Sequence, residues 1–221
     1  MNIQHHLSDE LLSSYAAGTL AEGWSIAVAT HLALCPACRS RLEHFECIGG
    51  QLLETVEPNE VEFESWDAVK RRLSDRSRLP QQPAPHRTSP TEATASLPEP
   101  LRSYVGGDLP DLKWKSLGRG AYQVPIETTD RETQVRLLRI PAGKPVPEHG
   151  HGGRELTLVL SGSFYDETGV FARGDIEEAD DDLVHQPIAS PGGDCICLAV
   201  TDAPLKFQSW LMRMVQPLIG I

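Results

Sequence analysis

Residues 145–162 read PVPEHGHGGRELTLVLSG, and the architecture of the second half of the chain is read outward from them. His149 and His151 stand one residue apart, and Glu155, four further on, opens an apolar run that closes at Ser161-Gly162. Side chains two apart on an extended strand leave from the same face, so the two imidazoles project together while the carboxylate starts the next strand. Two imidazoles and a carboxylate suit a first-row divalent metal and leave coordination positions open. Around this stretch, from residue 101 onward, short apolar runs such as RLLRIPAG, LTLVLSG, VFARGD and CICLAV alternate with Gly, Pro and Asp. Their spacing, roughly ten residues, predicts an all-β sandwich or barrel. Cys195 and Cys197 fall at period two on the last of these runs, where packing on one strand face is favoured over a redox pair.

Upstream, the texture changes twice. Residues 79–100, LPQQPAPHRTSPTEATASLPEP, hold six of the 17 prolines and almost no large apolar side chain. Such a segment cannot bury a core and predicts a semi-rigid spacer. The expected division is therefore a domain over 1–79, a Pro-rich linker over 80–100 and a second domain over 101–221. The first of these reads as helical. Ser8 followed by Asp9 and Glu10 marks a helix start, with a stop at Gly18. Thr19 and Glu22 have capping-box spacing ahead of WSIAVATHLAL, a helix apolar nearly all round and thus expected at the centre of a small bundle. A third helix is expected from Pro36 to Gly49-Gly50, and a fourth from Ser65 with Trp66, Val69 and Leu73 on one stripe.

The chemistry of this half lies in HLALCPAC, residues 31–38. His31 and Cys35 share a helical face and Cys38 returns one turn later, which supplies three quarters of a tetrahedral zinc site. The fourth ligand is expected from His6 or, failing that, His5. A C-x-x-C pair alone also reads as a redox motif, but the histidine four residues upstream and the helical setting favour structural zinc. Such a metal would stabilise a bundle with few large aliphatic residues. Cys47, in FECIGG, is expected as a buried small hydrophobe. Trp210, Leu211, Met212 and Met214 are expected to pack on a strand or form a docking surface.

A formal charge of −11 argues against direct nucleic-acid binding. Neither a leader peptide nor an apolar run of membrane-spanning length is visible, so no membrane association is expected and the cytoplasm is the expected location. Five cysteines, an odd number, fit thiols or metal ligands better than a disulfide framework.

An upstream histidine followed by H-x3-C-x2-C on short helices resembles the zinc-binding anti-sigma domain of proteins that hold an alternative bacterial sigma factor inactive. By that resemblance His6, His31, Cys35 and Cys38 are the zinc ligands, and the fourth helix completes the surface that wraps the sigma factor. In the second half, Gly143, His149, His151, Glu155 and Gly162 meet the pattern G-x5-H-x-H-x3-E-x6-G and so resemble the first cupin motif. The second cupin motif is met in part: Gly174 and His185 keep their separation, whereas Asp180, Asp182 and Ala189 replace its proline, glycine and asparagine. The whole layout is similar to the ChrR-type zinc anti-sigma factors. The resemblance implies a two-domain protein, an all-α zinc-binding helical bundle followed by an all-β cupin jelly-roll barrel, in which the cupin metal is held by His149, His151, Glu155 and His185. It implies structural zinc in the first domain, and in the second a divalent metal, zinc first with iron or manganese as alternatives. It further implies a cytoplasmic regulator, not an enzyme, that sequesters an extracytoplasmic-function (group IV) sigma factor in a 1:1 complex and releases it under oxidative stress such as singlet oxygen or organic peroxide. The alternative is a mononuclear-metal cupin enzyme, a dioxygenase or isomerase, with an accessory zinc module.

Overall fold

A computed structural model of the chain describes residues 2–59, 65–75, 96–118 and 120–207. Most of the Pro-rich spacer and the Trp210–Met214 cluster lie outside the described residues. Contacts divide the chain into two compact units, Met1–Gly49 with Ser96–Ile221, and Gly50–Ala95.

The first helix, α1 (Asp9–Ala16), is capped by the Ser8 hydroxyl, which accepts from the Leu11 N–H at 3.4 Å, and its chain leaves through Gly18 at φ 67°. The next, α2 (Glu22–Leu34), does not use the expected capping box: its N-cap is Ala21, and the Thr19 hydroxyl instead donates to the carbonyl of Ser14. The free end of α2 is satisfied from far away. The Glu22 N–H donates to Asp130 Oδ2 at 2.5 Å, and the Glu22 carboxylate accepts from the backbone and hydroxyl of Thr129. The third helix, α3 (Pro36–Glu54), runs through Gly49-Gly50, where a stop was expected. Each glycine costs a helix about 1 kcal/mol relative to alanine, which the flanking turns outweigh. Cys47, expected buried, is exposed on it. The fourth, α4 (Ser65–Ser74), starts at the expected residue. A fifth helix that the sequence did not announce, α5 (Glu99–Val105), begins inside the expected linker and buries Leu101, with Leu97 just ahead of it.

Residues 115–207 form antiparallel sheets. The largest has six strands in the order β1 (Lys115–Gly118), β2 (Ala121–Ile126), β3 (Gln134–Ile140), β11 (Cys195–Thr201), β5 (Glu155–Ser161), β8 (Ile176–Ala179). Two three-stranded sheets accompany it. One joins β10 (Ile188–Ala189), β6 (Ser163–Tyr165) and β7 (Val170–Ala172); the other joins β12 (Lys206–Phe207), β4 (His149–Gly150) and β9 (Val184–His185).

Strand alternation divides the interior into two cores. Leu156, Leu158 and Leu160 of β5 with Leu198 and Val200 of β11 face one way, into an apolar cluster shared with Leu11, Leu12, Ile26, Val28 and Leu101. Val159, Cys195 and Cys197 face the other way and pack with Phe164, Phe171 and Ala189. Thus α2 is buried as its all-round hydrophobicity requires, but by the large sheet as well as by α1 and α5, not by a bundle of helices alone. Gly23 marks how close the approach is: a Cβ there would lie 2.2 Å from Thr133 Oγ1 and 2.6 Å from Val135 Cγ2.

Candidate metal centres

The junction of α2 and α3 gathers the first cluster. His31 sits on the last turn of α2, Cys35 is the extended residue that caps it, Pro36 opens α3, and Cys38 comes back on its first turn. The extended segment before α1 brings in His6. His31 Nε2 lies 3.3 Å from Cys38 Sγ, and His6 Nδ1 lies 3.3 Å from Cys35 Sγ and 3.6 Å from Cys38 Sγ. All four donor atoms fall within 4.8 Å of one another. A tetrahedral zinc ion with bonds of about 2.0–2.3 Å has ligand–ligand edges of about 3.5 Å, so the spacing fits that ion. His5 points elsewhere: its ring packs against Phe171 at 4.2 Å and a tilt of 34°, and its Nδ1 lies 3.7 Å from Asp175.

Burial sets the protonation of this cluster. It pushes His31 down to about 4, opposed by the Gly174 carbonyl, and so keeps the imidazole neutral. It pushes Cys38 up to about 11, so a thiolate here needs a cation beside it. The guanidinium of Arg41, 3.8 Å from Cys38 Sγ, also donates to the Leu7 carbonyl and pairs with Asp9, fastening α1 to α3.

The second cluster joins β4, β5 and β9. Register places His149 opposite His185, and His151 follows directly after β4. The three imidazoles form a near-equilateral triangle with centroid separations of 4.8, 5.1 and 5.2 Å, all buried. Glu155, first residue of β5, puts Oε2 3.1 Å from His151 Nδ1. Nε2 of His151 and Nε2 of His185 are buried without a hydrogen-bond partner. Orphaned buried donors and acceptors are costly, and a divalent ion taking their lone pairs removes that cost. The three imidazoles offer ligand atoms within 4.8 Å of one another and so fit a divalent ion, with Glu155 beside them rather than inside that group.

Two carboxylates that the sequence reading missed complete this site. Asp166, in the turn between β6 and β7, accepts from His185 Nδ1 at 2.7 Å, and Glu177 of β8 lies 3.6 Å from the same nitrogen. Burial works against charge on His185, yet Glu177 and Asp166 outweigh it and raise the imidazole to about 8. They fix the tautomer so that Nε2 is the ligating atom, as the Pro147 carbonyl does for His149 by accepting from Nδ1 at 2.8 Å. Glu155 is itself held below the usual carboxylate range: burial raises it, but the His151 contact and the charge of His149 prevail. The altered second motif also has a structural account. Where proline was expected, the Asp180 carboxylate accepts from the Asp182 N–H at 3.1 Å, an Asx turn that delivers His185.

A cavity of about 80 Å³ adjoins the cluster, lined by His149, Glu155 and His185 and by Cys195 and Cys197. The two thiols lie 3.5 Å apart on β11, and their hydrogen bond and burial raise Cys197 well above its ordinary value. The cavity has room for an ion and a small additional ligand.

The family model for the ChrR cupin-like domain matches residues 104–204. The chain is 50% identical to the anti-sigma-E factor ChrR of Cereibacter sphaeroides over 100% of both sequences. The crystal structure of Rhodobacter sphaeroides SigE in complex with the anti-sigma ChrR contains a chain that matches at 45% identity and a TM-score of 0.78, covering 91% of this chain and 100% of that one. With helices and cupin-like sheets alike accounted for by one full-length relative, the chain belongs to the ChrR family of anti-sigma factors.

Proposed function

We propose that the protein sequesters an extracytoplasmic-function (group IV) sigma factor in a 1:1 complex in the cytoplasm and frees it under oxidative stress such as singlet oxygen or organic peroxide. Residues 1–79 bind the sigma factor, with zinc on His6, His31, Cys35 and Cys38 in a structural role. The observation that carries this reading is the pairing of that cluster with an uncovered apolar surface. On α4 (Ser65–Ser74) the stripe of Trp66, Val69 and Leu73 is exposed, as are Leu52 and Leu53 late in α3. Helices that show aromatic and aliphatic side chains to solvent are suited to a protein partner, and buried Trp is a frequent anchor of such contacts. The relative whose complex with SigE matches over 91% of this chain supports the same partner class.

His149, His151, Glu155 and His185 would hold the second metal, zinc in the first instance, or iron or manganese. The metal would supply a Lewis-acid position open to an exogenous ligand; the protein supplies three imidazoles, the fixed tautomers of His149 and His185 and a small cavity beside them. The reading is of a regulator, not an enzyme. No described helix is long and apolar enough to cross a membrane.

Purification of the tagged protein from its own cells, with metal analysis, tests the proposal. A stoichiometric sigma factor and two metals per chain are expected. Turnover of a small molecule without a sigma factor would transfer the protein to the mononuclear-metal enzymes.

A further inference from the structure

Both clusters converge on one short piece of the β-domain. The segment that carries His6 runs along the edge strand β8, where Asp175, directly before the strand, accepts from the backbone N–H groups of Gln4 at 2.6 Å and His5 at 2.9 Å. The Ile176 N–H returns to the His5 carbonyl at 3.4 Å. The second oxygen of Asp175 is used by the Ala172 N–H at 2.9 Å, so the carboxylate ties the end of β7, the start of β8 and the His6 segment together. Two residues beyond Asp175, Glu177 faces His185 of the other cluster. The β6–β7 turn repeats the arrangement. Its Asp166 holds His185, while Phe171 of β7 packs, tilted by 34°, against the ring of His5, next to His6. Thr168 joins the two carboxylates, its one hydroxyl lying 2.7 Å from Asp166 Oδ1 and 3.1 Å from Glu177 Oε1.

We propose that the turn Arg173–Asp175 with β8 couples the two metal centres, Asp175 positioning the His6 segment at one and Glu177 positioning His185 at the other. Resting as it does on the reading that both clusters bind metal, this proposal identifies how the state of the cupin site reaches the sigma-binding helices. A shift of His185 on losing or changing its ion moves Glu177, and β8 is too short and too fully paired with β5 to absorb the shift before Asp175. The consequence arrives at His6, which is carried by an extended segment with no helix of its own.

Full-length protein loaded with cobalt(II) tests this. The thiolate-to-cobalt charge-transfer band reports the Cys35/Cys38 site, because the other ligand set has only imidazoles and a carboxylate, and its decay in excess chelator gives a release rate. Asp175→Ala should release cobalt from the thiolate site about 10-fold faster, the scale of effects from outer-shell partners. Asp175→Asn, which retains one acceptor oxygen, should lie between. Emptying the other site with the His149→Ala/His151→Ala pair should also speed release, but not further in the Asp175→Ala background, a non-additivity that marks coupling. Release at the wild-type rate from both Asp175 variants, or effects that simply multiply, would overturn the proposal while leaving the metal assignments standing. Uptake of fewer than two cobalt ions by the wild-type chain would sink the metal reading, and the coupling with it.

Discussion

Burial acts in opposite senses on the ligands of the helical cluster, holding His31 neutral down to about 4 and Cys38 protonated up to about 11. Metal binding must therefore expel thiol protons that the folded chain otherwise keeps. Cys38→Ser is expected to lose one metal per chain and the sigma factor together, whereas His5→Ala should keep the metal and His6→Ala should not; metal analysis of the three variants decides between the neighbouring histidines. The β-domain site titrates differently. With His185 raised to about 8, a proton occupies Nε2 at neutral pH and competes with the ion. Raising the pH removes that competitor, so apparent affinity at this site should climb by up to about 10-fold per pH unit below 8 and level above it. Glu177→Gln should move the plateau to lower pH, and a competition titration with a chromophoric chelator measures both. The ligands themselves were legible because each motif is local: H-x3-C-x2-C and H-x-H-x3-E put most of a coordination sphere into a few residues. Asp166 and Glu177 were not, since only strand register and a turn bring them to His185.

At the scale of elements, local rules located most helices but misassigned the forces that hold them. Ser8 caps α1 as its sequence predicts, while α2 takes its cap from Asp130, 108 residues from Glu22, which no windowed pattern reveals. Asp130→Ala should lower stability by about 1 kcal/mol, the usual worth of a side-chain cap, in chemical denaturation. Gly23 gives a sharper test. In an exposed helix Gly→Ala stabilises by about 1 kcal/mol, yet here the methyl would meet Thr133 and Val135 inside any permitted contact. Gly23→Ala is therefore expected to destabilise by about 1–3 kcal/mol as the helix is pushed off the sheet; a gain in stability would mean the contact is looser than it looks. On α4 the balance reverses. Trp66 is 63% exposed, so Trp66→Ala should leave the unfolding midpoint unchanged but weaken sigma-factor binding by more than about 30-fold, roughly 2 kcal/mol, in a titration of purified proteins.

For the whole molecule, the sequence shows two textures, helical and β, but not that they share a core. Composition marks where apolar side chains occur, and period marks which face carries them, but neither says what the second face of a sheet will meet. Leu137, Leu156, Leu158, Leu160, Leu198 and Val200 lie on the face of the large sheet that α1, α2 and α5 cover. The residues on the opposite face, beside the metal cluster, form a smaller core of their own. A chain cut at the compositional boundary, residues 101–221 alone, would keep the ligands His149, His151, Glu155 and His185 but open that leucine face to water. Each fully buried leucine so exposed forfeits about 1.5–3 kcal/mol, and an uncovered patch of several is an association surface. The isolated segment is therefore expected to bind a hydrophobic dye, to unfold at a lower temperature than the full chain and to self-associate, even when supplied with metal. If instead it is monomeric, dye-silent and as heat-resistant as the intact protein, the helices only rest on the sheet, and the shared core carries little of the stability ascribed to it.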